Sequence, residues 1–397
     1  MIAPEPFFEP RGTPFSEFHR IRALTALGHT VDLVTYPFGE SVSMPGLRVF
    51  RSMRPPFVRR VKIGPSLAKI PLDALLALSA MRRAVSGRYD VIHSHEEGGL
   101  IGAVLAMLLR VPHLYDMHSS LPQQLSNFAF SRSRIVKTAF LAIERFMIRR
   151  SRVVIVICPS LEETVKAIEP GARTVLIENA PGSTEGEASP GAAAAVRRSL
   201  QLADGTPIVL YTGTFEAYQG LDLLFAAMAI VRSARPDARL VLVGGKADQV
   251  ARAREQARTA GIDGVTLFTG ERPASEIPAY LMASDLLVSP RSRGTNTPLK
   301  IYQYLRSGKA IVATRLLTHT QVLSDDTAIL TGVTPPEYAA GILAGLADPA
   351  RAAAIGRRAR ELAETKYSYD AYIERTRQAC AALLPAPPAG DVVKDVA

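Results

Sequence analysis

An α/β architecture of two doubly wound units is what this 397-residue sequence predicts. Short runs of β-branched and apolar residues alternate with longer helical patterns along most of the chain, as in doubly wound sheets. Most of these runs are apolar almost without interruption, which suits parallel strands covered by helices on both faces. The length adds a third constraint: one hydrophobic core seldom serves so many residues, whereas two ordinary domains do.

In the first half, strands are expected at residues 31–36, 91–95, 113–115, 153–157 and 175–177. In the second half they are expected at 208–211, 240–243, 265–268, 286–289, 310–313 and 328–330. Residues 98–109 form the longest apolar stretch; it is too short to cross a bilayer, ends at Arg110, and reads as a buried helix. Residues 181–206, rich in Gly, Ala, Ser and Glu, separate the halves as a linker followed by a short helix at 191–202. Domains are therefore expected at 1–180 and 181–367. The last helices should pack across the junction, the one near 368–384 returning to the first domain, and 385–397 should be a disordered tail. At the N-terminus, residues 1–3 look too short for a first strand, so a start a few residues upstream is expected. The helix that follows has Thr13 as its N-cap, Pro14 at its first position and a stop at Gly28.

The net charge of +10 admits three anionic partners: nucleic acid, lipid surfaces or phosphorylated small molecules. One cationic cluster joins Arg51, Arg54, Arg59, Arg60 and Lys62 with Met53, Phe57, Val58 and Ile63. A second runs through Arg132, Arg134, Lys137, Arg145, Arg149, Arg150 and Arg152. Each reads either as a solvated surface or as a contact with an anionic membrane face. No nucleic acid is expected, because the clusters lack a recognised binding module and the chain has no tryptophan to stack on bases. Cys158 and Cys380 are too few and too far apart for a metal cluster and suit a reducing cytoplasm. No signal peptide is visible in the first thirty residues, which carry charges and prolines throughout.

Residues 285–314 are the most informative stretch. A buried strand leads into a loop with Arg291 and Arg293, then a helix with Thr297 as N-cap, Pro298 at its first position and Gly308 as its stop. A cationic strand-to-helix loop of this kind is an anion site. Three other motifs precede it in order. The first is the loop Glu9-Pro10-Arg11-Gly12-Thr13-Pro14. The second is the pair of strand ends HSHEEGG from His93 and LYDMHSS from Leu114. The third is LYTGTFEAYQGLDLL from Leu210, followed by LVLVGG from Leu240. The ordered set, spanning nearly all of the chain before the tail, resembles family-4 glycosyltransferases with the two-Rossmann GT-B architecture.

That resemblance implies retaining transfer of a sugar from a nucleotide-diphosphate sugar, with the donor in the second domain, the acceptor in the first and a cleft between them. It implies His118 as the catalytic residue beside the sugar. It assigns the donor to Gly12, Gly213, Gly244, Arg272, Arg291, Arg293, Thr295, Asn296, Thr297, Lys300 and Gln303, and the acceptor side to Arg11, His95 and Glu96. Arg272 reads equally well as a surface arginine. His93, His95 and His118 could be structural histidines, although Glu96 and Glu97 beside them favour a site. Charge developing on a departing nucleoside diphosphate must be stabilised. The chain has no Asp-x-Asp pair for a divalent ion, so neither metal nor other cofactor is expected, and cations and helix N-termini must serve. The acceptor is expected to be a glycolipid, a lipid-linked sugar or a surface polysaccharide, met on the inner membrane face by a cytoplasmic, peripherally bound protein.

The chain also departs from the family. Thr214 and Gln219 stand where an arginine and a lysine usually grip the diphosphate, and Thr295 and Gln303 stand where two glutamates usually bind the sugar and the ribose. Each lost charged hydrogen bond could matter by roughly 1.5–3 kcal/mol. Either Arg291, Arg293 and Lys300 supply the charge instead, or the protein is a non-catalytic, membrane-associated partner. A nucleotide-sugar 2-epimerase, which shares the architecture, is a third reading.

Overall fold

The computed structural model describes residues 1–8, 12–56, 58, 69–122, 133–178 and 188–384. The chain divides into two compact units. The first holds Met1–Glu178 together with the chain from Tyr372 on, and the second holds Asn179–Ala371.

The first unit is built on seven parallel strands: β1 (Ile2–Ala3), β2 (Val31–Thr35), β3 (Leu47–Arg51), β4 (Ile92–His95), β5 (His113–Met117), β6 (Val153–Val156) and β7 (Thr174–Leu176). Their spatial order is β3-β2-β1-β4-β5-β6-β7. The connections reverse direction between β1 and β4, which makes the carboxyl ends there the place where such sheets bind ligands. Helix α1 (Gly12–Ala26) follows β1 and packs Ile21 and Leu24 with Ala3, Val31 and Leu33. A second core, on Leu72, Leu76, Ala80 and Ala84, belongs to α2 (Lys69–Ser86). Helix α3 (Gly98–Leu109) packs on α2 and on α4 (Arg134–Arg150), and α4 packs on α5 (Pro159–Ile168).

The second unit has six parallel strands: β8 (Ile208–Thr212), β9 (Arg239–Val243), β10 (Thr266–Gly270), β11 (Leu286–Ser289), β12 (Ala310–Thr314) and β13 (Ile329–Thr331). Their order is β10-β9-β8-β11-β12-β13, with the reversal between β8 and β11. Alternate residues of β8 enter two different cores, Val209 and Tyr211 on one face and Ile208 and Leu210 on the other. That explains its unbroken apolar sequence, since both faces are covered. The helices are α6 (Pro190–Ser199), α7 (Leu221–Ala234), α8 (Ala247–Thr259), α9 (Ile277–Ala283), α10 (Lys300–Ser307), α11 (Leu317–Thr320), α12 (Pro335–Ala347) and α13 (Pro349–Thr365). The last helix, α14 (Tyr369–Ala381), buries Tyr372, Thr376 and Ala379.

Several local expectations need correction. Residues Ile2 and Ala3 do form a strand, paired with β2 on one side and β4 on the other; the Met1 ammonium extends the ladder by donating to the Asp32 carbonyl at 2.7 Å. Strand β3 escaped notice because its sequence, LRVFR, alternates arginines with apolar residues at a half-exposed sheet edge. Helix α1 begins at Gly12, which puts Thr13 inside it. Helix α10 begins only at Lys300, because Pro298 and Leu299 open it with three-residue bonds from the Ile301 and Tyr302 amides at 3.0 and 3.2 Å. The Thr297 hydroxyl therefore does not cap α10 and has no hydrogen-bond partner among the described residues. Helix α3 is not fully buried: Leu100, Val104, Met107 and Leu108 are exposed. Arg11, Phe57, Arg59, Arg60, Lys62, Ile63, Arg132, the early linker at 181–187 and the tail at 385–397 lie outside the described residues.

Candidate active site

In the first unit, the polar groups gather at the carboxyl ends of β4 and β5, which pair in register with His95 opposite Asp116. Asp116 is the hub. Its carboxylate lies 2.8 Å from Arg20 Nε, 3.2 Å from His118 Nε2, 3.7 Å from His93 Nε2 and 3.8 Å from His95 Nδ1. Burial opposes its ionisation, but Arg20, then His118 and His95, hold the carboxyl well below the usual carboxylate range. Arg20 is likewise fully buried; its Nη1 donates to Thr376 at 3.1 Å and its guanidinium lies 4.9 Å from the Tyr372 ring. Helix α14 thus holds the cation that pairs with Asp116, whose other oxygen lies next to the His118 ring. Burial lowers the pKa of His93 and, more strongly, that of His95. His95 Nδ1 lies 3.4 Å from His118 Nε2.

Glu96 follows β4 with φ at +45°, a left-handed conformation that a non-glycine residue adopts at some strain. Burial is the largest influence on its carboxyl and raises it to about 8, and Ser119 Oγ donates to both oxygens at 2.9 and 3.1 Å. Glu17, on α1, is wholly buried; neither carboxylate oxygen has a hydrogen-bond partner among the described residues, and burial followed by Glu5, Asp116 and Glu96 pushes it well above the ordinary range.

His93, His95 and Asp116 place one ligand atom each within 4.8 Å of the others, the span of a metal site. Arg20 already supplies positive charge to the same carboxylate at 2.8 Å, and a divalent ion there would be repelled by it.

In the second unit the candidate site is a set of glycine-containing loops at the carboxyl ends of β8, β9 and β11. Gly213, Gly220 and Gly244 all have positive φ. A Cβ on Gly244 would strike the Gly213 carbonyl oxygen, and one on Gly220 would strike that of Pro290, so the three connecting loops close on backbone alone. Lys300, the first residue of α10, sends its ammonium into this place. Nζ lies 3.8 Å above the Tyr211 ring and 3.2 Å from where a Gly213 Cβ would be. The residue is 8% exposed and its ammonium has no hydrogen-bond partner among the described residues. Burial, with Arg291 adding repulsion, takes its pKa well below the ordinary lysine value. Arg291 crosses the same loop, donating to the carbonyls of Arg293 at 3.0 Å and Asn296 at 2.9 Å, with its guanidinium 5.0 Å from the Tyr218 ring. The buried hydroxyl of Thr297 and the buried amide oxygen of Gln219 also lack hydrogen-bond partners among the described residues.

The remaining sequence-derived positions scatter around this centre. Arg293 is exposed on the β11–α10 loop, the Thr295 carbonyl accepts from Gln321 Nε2 at 2.6 Å, and Gln303 is half-buried on α10. Arg272 stands on an exposed turn after β10, 3.9 Å from Glu276. Gly12 opens α1 in the first unit, and the donor loops belong to the second. Sequence reading missed Glu17, Arg20 and Asp116. The available signal was charge inside an apolar stripe: Glu17, Arg20, Ile21 and Leu24 share the buried face of α1.

Residues 19–180 match the family described as "Glycosyl transferase 4-like domain", and residues 193–362 match "Glycosyl transferases group 1". A 2-deoxystreptamine N-acetyl-D-glucosaminyltransferase of Streptomyces fradiae is 31% identical over 265 residues, a match covering 63% of this chain and 61% of that relative. A D-inositol 3-phosphate glycosyltransferase of Acidothermus cellulolyticus is 26% identical over 326 residues, covering 74% and 69%. Among solved structures, HepE of Anabaena in complex with UDP-glucose superposes with a TM-score of 0.75 at 18% identity, covering 96% of this chain and 99% of that one. At that identity the likeness speaks for the GT-B fold alone. With both halves matched in chain order, this protein belongs to the GT-B glycosyltransferases of the family-4 type.

Proposed function

We propose that this protein transfers a sugar from a nucleotide-diphosphate sugar to a hydroxyl acceptor, with retention and without a metal ion. The observation that carries the reading is Lys300. A buried ammonium with no anionic partner is costly, and a fold keeps one where a ligand brings the missing charge. A diphosphate brought against the backbone at Gly213 would meet the Lys300 ammonium, 3.2 Å from where a Gly213 Cβ would be, with Arg291 on the same loop side. The first N–H groups of α7, which begins directly after Gly220, would add to the cradle. Two cations on the β11–α10 side thereby stand in for those lost at Thr214 and Gln219, the first of which is exposed and the second neutral and buried.

In this reading His118 serves the transferred sugar and the developing positive charge at its anomeric carbon, held in place by Asp116. Glu96, with a carboxyl near neutrality, receives the acceptor hydroxyl's proton, and His95 lies beside His118. Charge on the leaving diphosphate falls on Lys300 and Arg291, so chelators leave the reaction intact.

For the acceptor we propose a glycolipid, a lipid-linked sugar or a surface polysaccharide. A second reading is favoured by the relatives, which are named for 2-deoxystreptamine and for D-inositol 3-phosphate: a small hydroxylated acceptor in water. Assaying UDP-, GDP- and ADP-sugars against both acceptor types with EDTA present tests the proposal. Transfer to either type supports it and chooses between them. Free epimerised sugar without acceptor, or failure to bind any nucleotide by a folded protein, overturns it.

A further inference from the structure

We infer that the outer face of α2, α3 and α4 in the first unit is a docking surface for an anionic lipid bilayer. The twelve residues of α3, GGLIGAVLAMLL, include no polar side chain. Its inner face is made of Gly98, Gly99, Gly102, Ala103, Leu105 and Ala106, which bury it on the sheet. Its outer face is the stripe Leu100, Val104, Met107 and Leu108, between 38% and 67% exposed. An ordinary surface helix is polar there. Helix α2 repeats the pattern. Leu72, Leu76, Ala80 and Ala84 point inward, while Ile70, Leu78, Met81 and Val85 form an outward stripe between 47% and 77% exposed.

Scattered exposed apolar residues need no explanation, but a stripe on each of two contacting helices does. Helix α4, packed on the other side of α3, adds Ile135 and Leu141 to the exposed set. Charge identifies the occupant. The same three helices expose Arg82, Arg134, Lys137 and Arg145, and Arg110 follows α3 directly. Their acids do not answer: Asp73 is half-buried and bonded to Tyr36, and Glu144 is buried and bonded to Ser120 and the Leu121 amide. A second copy of this face would press cations on cations. An anionic bilayer takes both the apolar stripes and the surrounding positive charge. The inference is independent of which sugar is transferred.

The test is co-sedimentation of the full chain with vesicles of phosphatidylcholine alone or mixed with phosphatidylglycerol. The wild type should sediment with the mixed vesicles, be partly released by salt, and leave the neutral ones unbound. The pair Met81→Glu/Leu108→Glu, exposed and remote from Lys300 in sequence, should weaken partitioning about tenfold or more while nucleoside-diphosphate binding is unchanged. The pair Arg82→Ser/Arg110→Ser should lose the preference for phosphatidylglycerol. Absence of wild-type partitioning, equal partitioning by the glutamate pair, or a dimer in sedimentation velocity that the glutamate pair dissociates would each overturn the inference. Nucleotide binding by the same samples separates such a failure from failure of the transferase reading.

Discussion

Lys300 is a cation that its surroundings disfavour, with burial first and Arg291 second pulling its pKa down. A bound diphosphate reverses that pull, so binding takes up a proton wherever the pH exceeds the depressed value. Affinity should therefore fall as pH rises through that value, and Lys300→Met should remove the dependence. The same variant should lose roughly 10- to 100-fold in nucleoside-diphosphate affinity, the worth of one charged hydrogen bond, with unchanged circular dichroism. His118→Ala should behave differently, lowering kcat strongly while leaving nucleoside-diphosphate affinity intact; a loss of affinity alone would remove its assignment to the reaction. Lys300, Arg291 and His118 were legible because they stand in ordered motifs. Asp116, Arg20 and Glu17 were not, because pattern reading assigns positions in apolar runs to packing. Their proximity comes from three separate elements, α1, β5 and α14, that only the folded chain joins.

The loops tolerate little at their glycines. Gly244 has φ at +120° and its Cβ position is filled by the Gly213 carbonyl, so Gly244→Ala should destabilise by on the order of 2 kcal/mol or more, read as a lowered urea midpoint. The edge strand β3 depends on Asp32, which accepts from Arg48, Arg83 and Tyr89. Burial pushes the Asp32 carboxyl up, but hydrogen bonds from Tyr89, Arg48 and Arg83 more than offset it and hold it low. A depressed carboxyl contributes stability above its unfolded value near 3.9 that is lost as pH falls through the folded value. Denaturation midpoints should thus drop on acidification below about pH 4. Asp32→Asn should be less stable at neutral pH and flatter in that range. Helix starts were the weakest part of the sequence reading. Thr13 and Thr297 look like caps, but a cap must be extended immediately before its helix; at α10 a tight turn through Pro298 and Leu299 takes that place, and the Thr297 hydroxyl is left buried.

The two-Rossmann architecture was readable because parallel strands covered on both faces leave continuous apolar runs, and eleven strand positions follow from them. What stayed hidden were β1, two residues long, and β3, whose arginines break the run. The helical layer of the first unit was also half-hidden: α3 reads as buried from composition, and only its packing shows an uncovered stripe. The central claim is that a cradle of glycines, Lys300 and Arg291 holds a nucleoside diphosphate without a metal. Calorimetric titration of UDP, GDP and ADP, with EDTA throughout, into the wild type and Lys300→Met tests it most directly. The account predicts that at least one of the three binds the wild type under chelation and binds Lys300→Met at least about tenfold more weakly. Binding that needs a restored divalent ion, or equal affinity for both proteins, would contradict it.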